Sequence, residues 1–156
     1  MTMIIDGSAG VTFPNSTVQA SAGSVLQVVQ ATTTTSSSTS STSYVTTGFS
    51  ASITPKFATS KILVNFNGRI YLNTAANEGS ISIYRGGSSI WGGNSVFNSA
   101  GGIAAQQSIN YLDSPATTSS TTYTLYIKIA GAGAIIFMPN GAADGIGTIT
   151  LMEIAA

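Results

Sequence analysis

The sequence predicts an all-β fold, an antiparallel β-sandwich of the jelly-roll kind, on the strength of three observations. Apolar and polar residues alternate with a period of two in several runs, as half-buried strands require. Gly, Asn, Pro, Ser and Thr separate these runs and favour turns. The predicted turns are at Gly86-Gly87, Gly92-Gly93-Asn94, Gly101-Gly102, Asn140-Gly141 and Asp144-Gly145. Helical periodicity is nearly absent. About eight or nine short strands with turn-rich connections are typical of a sandwich or jelly roll.

Residues 60–73 and 121–129 show the clearest alternation. In the first run, Ile62, Val64 and Phe66 share one face, and Leu63 is the apolar exception on the polar face. Mid-strand glycine often marks a bulge or a bend, and Gly68 predicts one here. The second run places its Tyr, Leu and Ile residues on one face and its Thr and Lys residues on the other.

Other runs are shorter or less regular. The runs that also alternate are 44–53, 79–85 and 103–112, the last in spite of its helix-favouring AAQQ segment. The runs that are apolar on both faces are 25–30, 134–138 and 148–154. Strands of the second kind are usually covered on both sides. We therefore expect a neighbouring subunit to cover one of their faces.

The sequence divides into an N-terminal arm, residues 1–24, and a β-sandwich head domain, residues 25–156. The arm has a short apolar start and is otherwise rich in Gly, Ser and Asn. The apolar residues of the arm include Ile4, Ile5, Val11 and Phe13. A Ser/Thr tract at 32–43 is either a solvated loop or a strand with Thr on an open face.

Charge is unusually scarce. Charged residues make up 6% of the 156 residues, and the formal net charge is zero, against the usual ~25%. Ser and Thr number 44 and must supply much of the polar surface. Because net charge keeps proteins apart, such a surface predicts association with copies of the chain or with a larger assembly. The five basic residues are scattered, which argues against a nucleic-acid partner.

Groups for acid–base catalysis are also scarce. The chain has no His and no Cys, which removes the usual general base and the commonest metal ligands. The five acids are far apart in sequence, although a pair formed across subunits stays open, as does a Ser–Lys pair. No phosphate-binding or calcium-binding motif occurs. We expect no enzyme activity, no catalytic residues, no cofactor and no metal site.

Two local features leave alternatives open. Glu153 lies on an apolar face near the C-terminus. Its carboxylate is therefore either exposed at the strand end or paired with Lys or Arg. The more specific form of the second alternative is a salt bridge across a threefold interface. Trp91 lies in the Gly-rich stretch 86–102. Its ring either fills the end of the sandwich core, or lies on a mobile loop and stacks on a sugar. In the second case Trp91, Asn94, Phe97 and Asn98 are the predicted glycan contacts.

No targeting or membrane signal is evident. The first ten residues have no basic region followed by a long apolar core, so we expect no signal peptide. No stretch is long and apolar enough to span a bilayer as a helix, and we expect no membrane insertion.

Several segments, in their order, resemble the C-terminal head domains of bacteriophage tail-fibre proteins. They are IDG at 5–7 with GVTFPNSTVQ at 10–19, ATSKILV at 58–64, SPATT at 114–118 with YTLYIK at 123–128, and ITLMEI at 149–154. The resemblance covers most of the chain, but each motif alone is a common strand or turn pattern. It implies a homotrimeric jelly-roll knob, similar to tumour-necrosis-factor-like folds, on a virion.

The function implied is attachment of a phage particle to the host surface, with a host glycan as a candidate partner. The resemblance also implies that the arm binds other virion proteins, with Ile4, Ile5, Val11 and Phe13 as the predicted attachment contacts. We expect synthesis in the host cytoplasm, because the first ten residues show no signal peptide. Because the arm starts close to Met1, we expect a short fibre or knob without a long shaft. The main alternative is a capsid decoration protein that stabilises the head. A glycan-active tail enzyme is the remote alternative.

Overall fold

The structure, a computed structural model, contains thirteen β-strands and no helix in the part of the chain that it describes. The residues described are 4–6, 10–12, 18–19, 24–75, 77–98, 102–139 and 145–155. The prediction of an all-β fold is confirmed.

The described pieces of the N-terminal arm form a small antiparallel sheet. Its strands are β1 (Ile4–Asp6), β2 (Gly10–Thr12) and β3 (Val18–Gln19), in the order β1-β2-β3. Among the described residues, none of these strands pairs with a strand of the head domain.

The first sheet of the head domain is built around one long strand, β7. Its strands are β4 (Val25–Thr33), β5 (Ser37–Thr39), β7 (Lys61–Leu72), β10 (Ile103–Asp113), β12 (Ile135–Phe137) and β13 (Gly147–Ile154). One edge of β7 pairs with β10 over almost its whole length. The other edge pairs first with β13 and then with β12, which continues to β5. The main order is β4-β13-β7-β10.

The second sheet has the order β6-β11-β8-β9. Its strands are β6 (Val45–Ile53), β8 (Asn77–Arg85), β9 (Ser88–Asn98) and β11 (Thr121–Ile129). Two early strands lie beside late strands: β4 pairs with β13, and β6 pairs with β11. Eight main strands in two sheets with these neighbours form a jelly roll, so the predicted topology is confirmed.

The core lies between the two sheets and follows the predicted alternation. Every second residue of β7, β11 and β13 is buried. Ile62, Val64 and Phe66 from the first sheet and Leu125 and Ile127 from the second are at most 1% exposed. The hydrophobic effect along these strands therefore holds the two sheets face to face.

Gly68 does not produce the predicted bulge. The pairing of β7 with β10 continues through Gly68 without a shift. A Cβ at this position would lie 2.7 Å from Cε2 of Phe137 and 2.8 Å from Cζ of Phe66. Glycine is needed here because two buried aromatic rings pack against the backbone.

The Gly-rich stretch 86–102 is largely a strand, which corrects the prediction of a mobile loop. Gly86 and Gly87, with φ of 54° and 86°, form the tight turn between β8 and β9 that the sequence predicted. The second predicted turn, at Gly92 and Gly93, lies inside β9. Gly93 has a φ of 112° beside a shift in the register with β8, so this glycine makes a bulge and the strand continues.

The remaining predicted strands are found, with small changes at their ends. Residues 103–112 form β10, which confirms a strand in preference to a helix. The Ser/Thr tract 32–43 contains the end of β4, then the short β5, with loop on either side of it. The turns predicted at Asn140-Gly141 and at Asp144 lie outside the described residues.

Replacing Gly68 with alanine is expected to destabilise the protein by about 1–3 kcal/mol, since a methyl group would overpack the core. Chemical denaturation of the purified protein measures the change. Gly131→Ala is the matched control, because its Cβ would lie 3.4 Å from the nearest atom, Oδ1 of Asn77, and should change stability by less than ~0.5 kcal/mol. Equal effects of the two substitutions would contradict this account of Gly68.

Candidate functional site

The two aromatic residues predicted to contact glycan lie on opposite faces of β9. Trp91 pairs with buried Ile83, is half-buried and packs against the core. Phe97 pairs with exposed Glu78 and is 63% exposed. One sugar therefore cannot stack on both rings from the same side.

Asn94 and Asn98, the other two predicted glycan contacts, are also in β9, in register with Ile81 and Asn77. Their side chains are outside the described part of the structure. Glycan contact by this set of residues stays a prediction.

Of the predicted attachment residues, Ile4 and Ile5 lie in β1 and Val11 lies in β2, directly opposite Ile5. Phe13 lies outside the described residues. Attachment through the arm stays a prediction.

Three tyrosines, which sequence reasoning did not select, gather on the outer face of the second sheet. The rings of Tyr84 and Tyr126 stack with centroids 3.8 Å apart, and Tyr44 meets Tyr84 edge-on at 6.0 Å. The antiparallel register explains the stack, because Tyr84 lies opposite Thr124 and is a diagonal neighbour of Tyr126. We call Tyr44, Tyr84 and Tyr126 the tyrosine surface.

Small hydroxyl side chains lie next to this surface. Ser80 Oγ is 3.1 Å from Ser95 Oγ, and Ser82 Oγ is 3.1 Å from Ser89 Oγ. Ser82 also donates a hydrogen bond to the carbonyl oxygen of Trp91. These bonds join β8 to β9 and satisfy two buried serines beside the rings.

One cationic side chain contacts the tyrosine surface. Lys128 Nζ lies 4.8 Å from the centroid of the Tyr44 ring, within cation–π distance. Burial raises the pKa of the Tyr44 phenol, and the nearby Tyr84 and Glu78 raise it further, against a hydrogen bond with Ser80. The phenol therefore stays neutral at physiological pH.

Tyrosine surrounded by serine is well suited to recognition. Tyrosine offers a large, rigid contact area with a polar end at low entropic cost, and serine offers adaptable hydrogen bonds. The sequence signal was present in β11, where Tyr126 stands on the otherwise polar face of an alternating strand. The sheet register was needed to bring Tyr84 beside it.

The outer face of the first sheet has a different character. Four apolar residues lie in one row across four strands: Val28, Met152, Leu63 and Leu112. Val28 is 56% exposed and Leu112 is 47% exposed. We call these four the apolar row; it includes Leu63, the exception noted in the sequence.

The next row of the same face is polar and uncharged. It consists of Gln30, Thr150, Asn65 and Asn110. Gln30 Nε2 donates to Thr150 Oγ1 at 3.0 Å, and Asn65 donates to Asn110. Among the described strands, only Lys61 and Arg69 of β7 add charge to this face. A partner for this face must therefore suit apolar and amide groups.

The acid Asp113 is buried and has two partners from the opposite sheet. Arg85 Nη1 lies 2.6 Å from Asp113 Oδ2, and the Tyr123 hydroxyl donates to the same oxygen at 2.7 Å. Burial and the hydrogen bond to Asp113 raise the pKa of Tyr123. This cluster connects β10 to β8 and β11, and its groups hydrogen-bond one another inside the sandwich, which indicates a structural role.

Both predicted alternatives for Glu153 are wrong, since among the described residues its side chain is neither exposed nor paired with a cationic side chain. Its exposure is 0%, and Gln27 Nε2 donates to Oε2 at 2.6 Å. The amide of Lys56 donates to Oε1 at 2.7 Å, and that of Phe57 at 3.4 Å. Burial opposes ionisation, but these hydrogen bonds outweigh it and lower the pKa of Glu153.

The described residues contain no group of three or more His, Cys, Asp or Glu that could hold a metal ion. Nor does that part of the chain contain a helix long and apolar enough to cross a membrane.

The fold and its surfaces define a jelly-roll protein with two unlike outer faces. No family model matches the chain, and no curated protein matches it. The chain is similar to several solved structures, among them two of infectious bursal disease virus. One is the structure of infectious bursal disease virus Gx strain, 15% identical with a TM-score of 0.48, where the match covers 83% of this chain and 37% of that one.

The other is the infectious bursal disease virus VP2 subviral particle, 16% identical with a TM-score of 0.45. That match covers 85% of this chain and 38% of the viral one. The chain thus spans less than two fifths of either neighbour. Functional conclusions therefore rest on its own residues.

Glu153→Gln is expected to destabilise the protein by about 1–3 kcal/mol at neutral pH, since a neutral amide replaces a charged acceptor of buried donors. The folded-state pKa is lowered from 4.5, so the carboxylate contributes stability above that pH, and the contribution is lost as pH falls through the folded-state value. Denaturation of both proteins along a pH series measures this. A difference that stays constant into strong acid would contradict the role of ionised Glu153.

Proposed function

We propose that the chain is a virion structural protein, a short trimeric fibre or knob that attaches a phage particle to the host surface. The observation that carries the proposal is the pair of unlike outer faces on a nearly uncharged jelly roll. One face has the apolar row, which suits a copy of the chain. The other has the tyrosine surface, which suits an external partner.

The segments that resemble phage fibre heads agree with this arrangement. Residues 58–64 lead into β7, residues 123–128 lie in β11, and residues 149–154 end β13. These segments therefore belong to central strands of the jelly roll. The resemblance supports the virion location and the trimer as proposals.

Self-association follows from the composition of the first sheet's outer face. The apolar row loses contact with water when it is covered, and each exposed valine or leucine that becomes buried stabilises the assembly. Few charges lie on this face, so little desolvation of charge opposes association. The expected cover by a neighbouring subunit concerns strands that are apolar on both faces, and Val28 of β4 and Met152 of β13 lie on two of these strands. Leu63, the apolar exception on β7, lies between Met152 and Leu112 in the same row.

Leu112→Asp is expected to dissociate the oligomer into monomers, because it places a charge in the apolar row, at its end on β10. Size-exclusion chromatography with light scattering at micromolar concentration measures the mass. Ser108→Asp is the matched control, since it adds the same charge to the same face of β10 and lies opposite Asn67, outside the apolar row. A wild-type protein that is a monodisperse monomer would refute the proposed trimer.

The tyrosine surface is the proposed region of host contact. Its rings and hydroxyls can stack on and hydrogen-bond to an uncharged surface sugar without ionic pairing. Exposed Phe97 is on the same side of the second sheet, because it pairs with outward-facing Glu78 of β8. It extends the aromatic contact area towards β9.

Tyr126→Ser is expected to weaken adsorption of the purified oligomer to host cells about tenfold or more, since a central aromatic contact is lost. Flow cytometry with labelled protein measures binding. Tyr71→Ser is the control, because Tyr71 lies on the outer face of the first sheet, near the opposite end of β7 from Leu63 of the apolar row. Equal loss in both variants, with unchanged melting temperatures, would count against host contact at the tyrosine surface.

The position on the particle separates attachment from head decoration. Immunogold labelling of virions is expected to mark the tail or its tip. Labelling of the capsid, with capsids weakened when the protein is missing, would favour a decoration protein.

Incubation with host polysaccharide is expected to release no shorter sugars. Their release would favour a glycan-active enzyme.

A further inference from the structure

A cleft of about 380 Å³ lies between β4 and β6, the adjoining outer strands of the two sheets. Its walls include Thr32 and Thr35 on one side, and Thr47, Gly48, Phe49 and Ser50 on the other. This volume is at the lower end of the range for small-molecule sites. The cleft is separate from the tyrosine surface and from the apolar row.

A bulge in β6 shapes one wall of the cleft. Thr124 pairs with Ser50 and Tyr126 pairs with Thr46, so β6 has extra residues opposite Leu125. Gly48 lies in this bulge with a φ of 78°, and a Cβ on it would meet nothing within 4 Å. Glycine is therefore required for its backbone conformation, and the space beside it is open.

Hydroxyl groups of the cleft are available to a ligand. Thr47 uses its hydroxyl within the fold, donating to the Leu125 carbonyl oxygen at 2.9 Å. Within the described residues, the hydroxyls of Thr32, Thr35 and Ser50 have no hydrogen-bond partner. Each hydroxyl can both donate and accept.

The backbone adds further donors and acceptors. In the described chain β4 pairs only with β13, and β6 only with β11, so each has one edge without a partner strand. A peptide strand could add to a regular edge, but the bulge at Gly48 interrupts the repeat that such pairing would need along β6. The wall chemistry therefore favours a compact polyhydroxylated ligand over a strand.

The residues that line the cleft favour an uncharged ligand. No Asp, Glu, Lys or Arg lines it among the described residues. An anionic sugar would lose hydration on entering without gaining an ionic partner. Phe49 adds an apolar residue to the lining of the cleft, although it is only 8% exposed and its ring stacks on Phe137 at 5.6 Å.

We propose that this cleft is a binding site for a neutral saccharide. The start of the Ser/Thr tract supplies one wall, and the bulged segment of β6 supplies the other. The site goes beyond the attachment function, since neither the trimer nor the tyrosine surface requires it.

Titration of isotope-labelled protein with glucose, galactose, mannose and N-acetylglucosamine, followed by amide NMR, tests the proposal. At least one neutral sugar is expected to give saturable shifts at Thr32, Thr33, Gly48 and Ser50. Glucuronic acid is expected to bind at least tenfold more weakly. Shifts that saturate with none of the neutral sugars, or a uronate that binds as tightly as they do, would overturn the proposal.

Thr32→Tyr is expected to weaken the sugar response at least tenfold by filling the cleft. Ser38→Tyr is the matched control, because Ser38 is exposed in the same tract and does not line the cleft. Melting curves verify that both variants fold. Equal binding of the neutral sugar by the two variants, or chemical shift changes centred on Tyr126, would refute this location of the site. Adsorption to host cells is expected to be unchanged in both variants.

Discussion

The register of β7 with its neighbours is the constraint on which both outer faces depend. It aligns Leu63 with Met152 on one side and with Leu112 on the other. Because side chains alternate along a strand, a shift by one residue would turn Ile62 and Val64 outward and Leu63 into the core. The close approach of two aromatic rings at Gly68 further restricts this register, since only glycine leaves room there.

Scarcity of charge gives the few ionisable groups structural importance. Asp113 and Glu153 are both buried, and each is satisfied by directed donors. Asp113 connects the two sheets through Arg85 and Tyr123, while Glu153 connects β13 to Gln27 and to the loop after β6. A buried carboxylate without such donors would be costly, so these contacts restrict how the sheets and the loop can pack. The polar surface is left mainly to hydroxyls and amides.

This division of groups connects composition to the proposed functions. Hydroxyls and amides can hydrogen-bond to neutral partners, and they impose little electrostatic repulsion between copies of the chain. The apolar row, the tyrosine surface and the cleft are different uses of the same uncharged scaffold. Each is produced by side chains from strands that are distant in sequence, such as Val28 and Met152 or Thr32 and Ser50.

The all-β class, the positions of most strands and the buried face of strands such as β7 and β11 could be predicted from the residues alone, because period-two alternation is a local property. The stacking of Tyr84 on Tyr126, the opposite orientations of Trp91 and Phe97, and the burial of Glu153 among backbone amides could not be predicted in this way. These outcomes depend on which strands become neighbours and on the bulges in β6 and β9, and both arise from contacts between residues far apart in the chain.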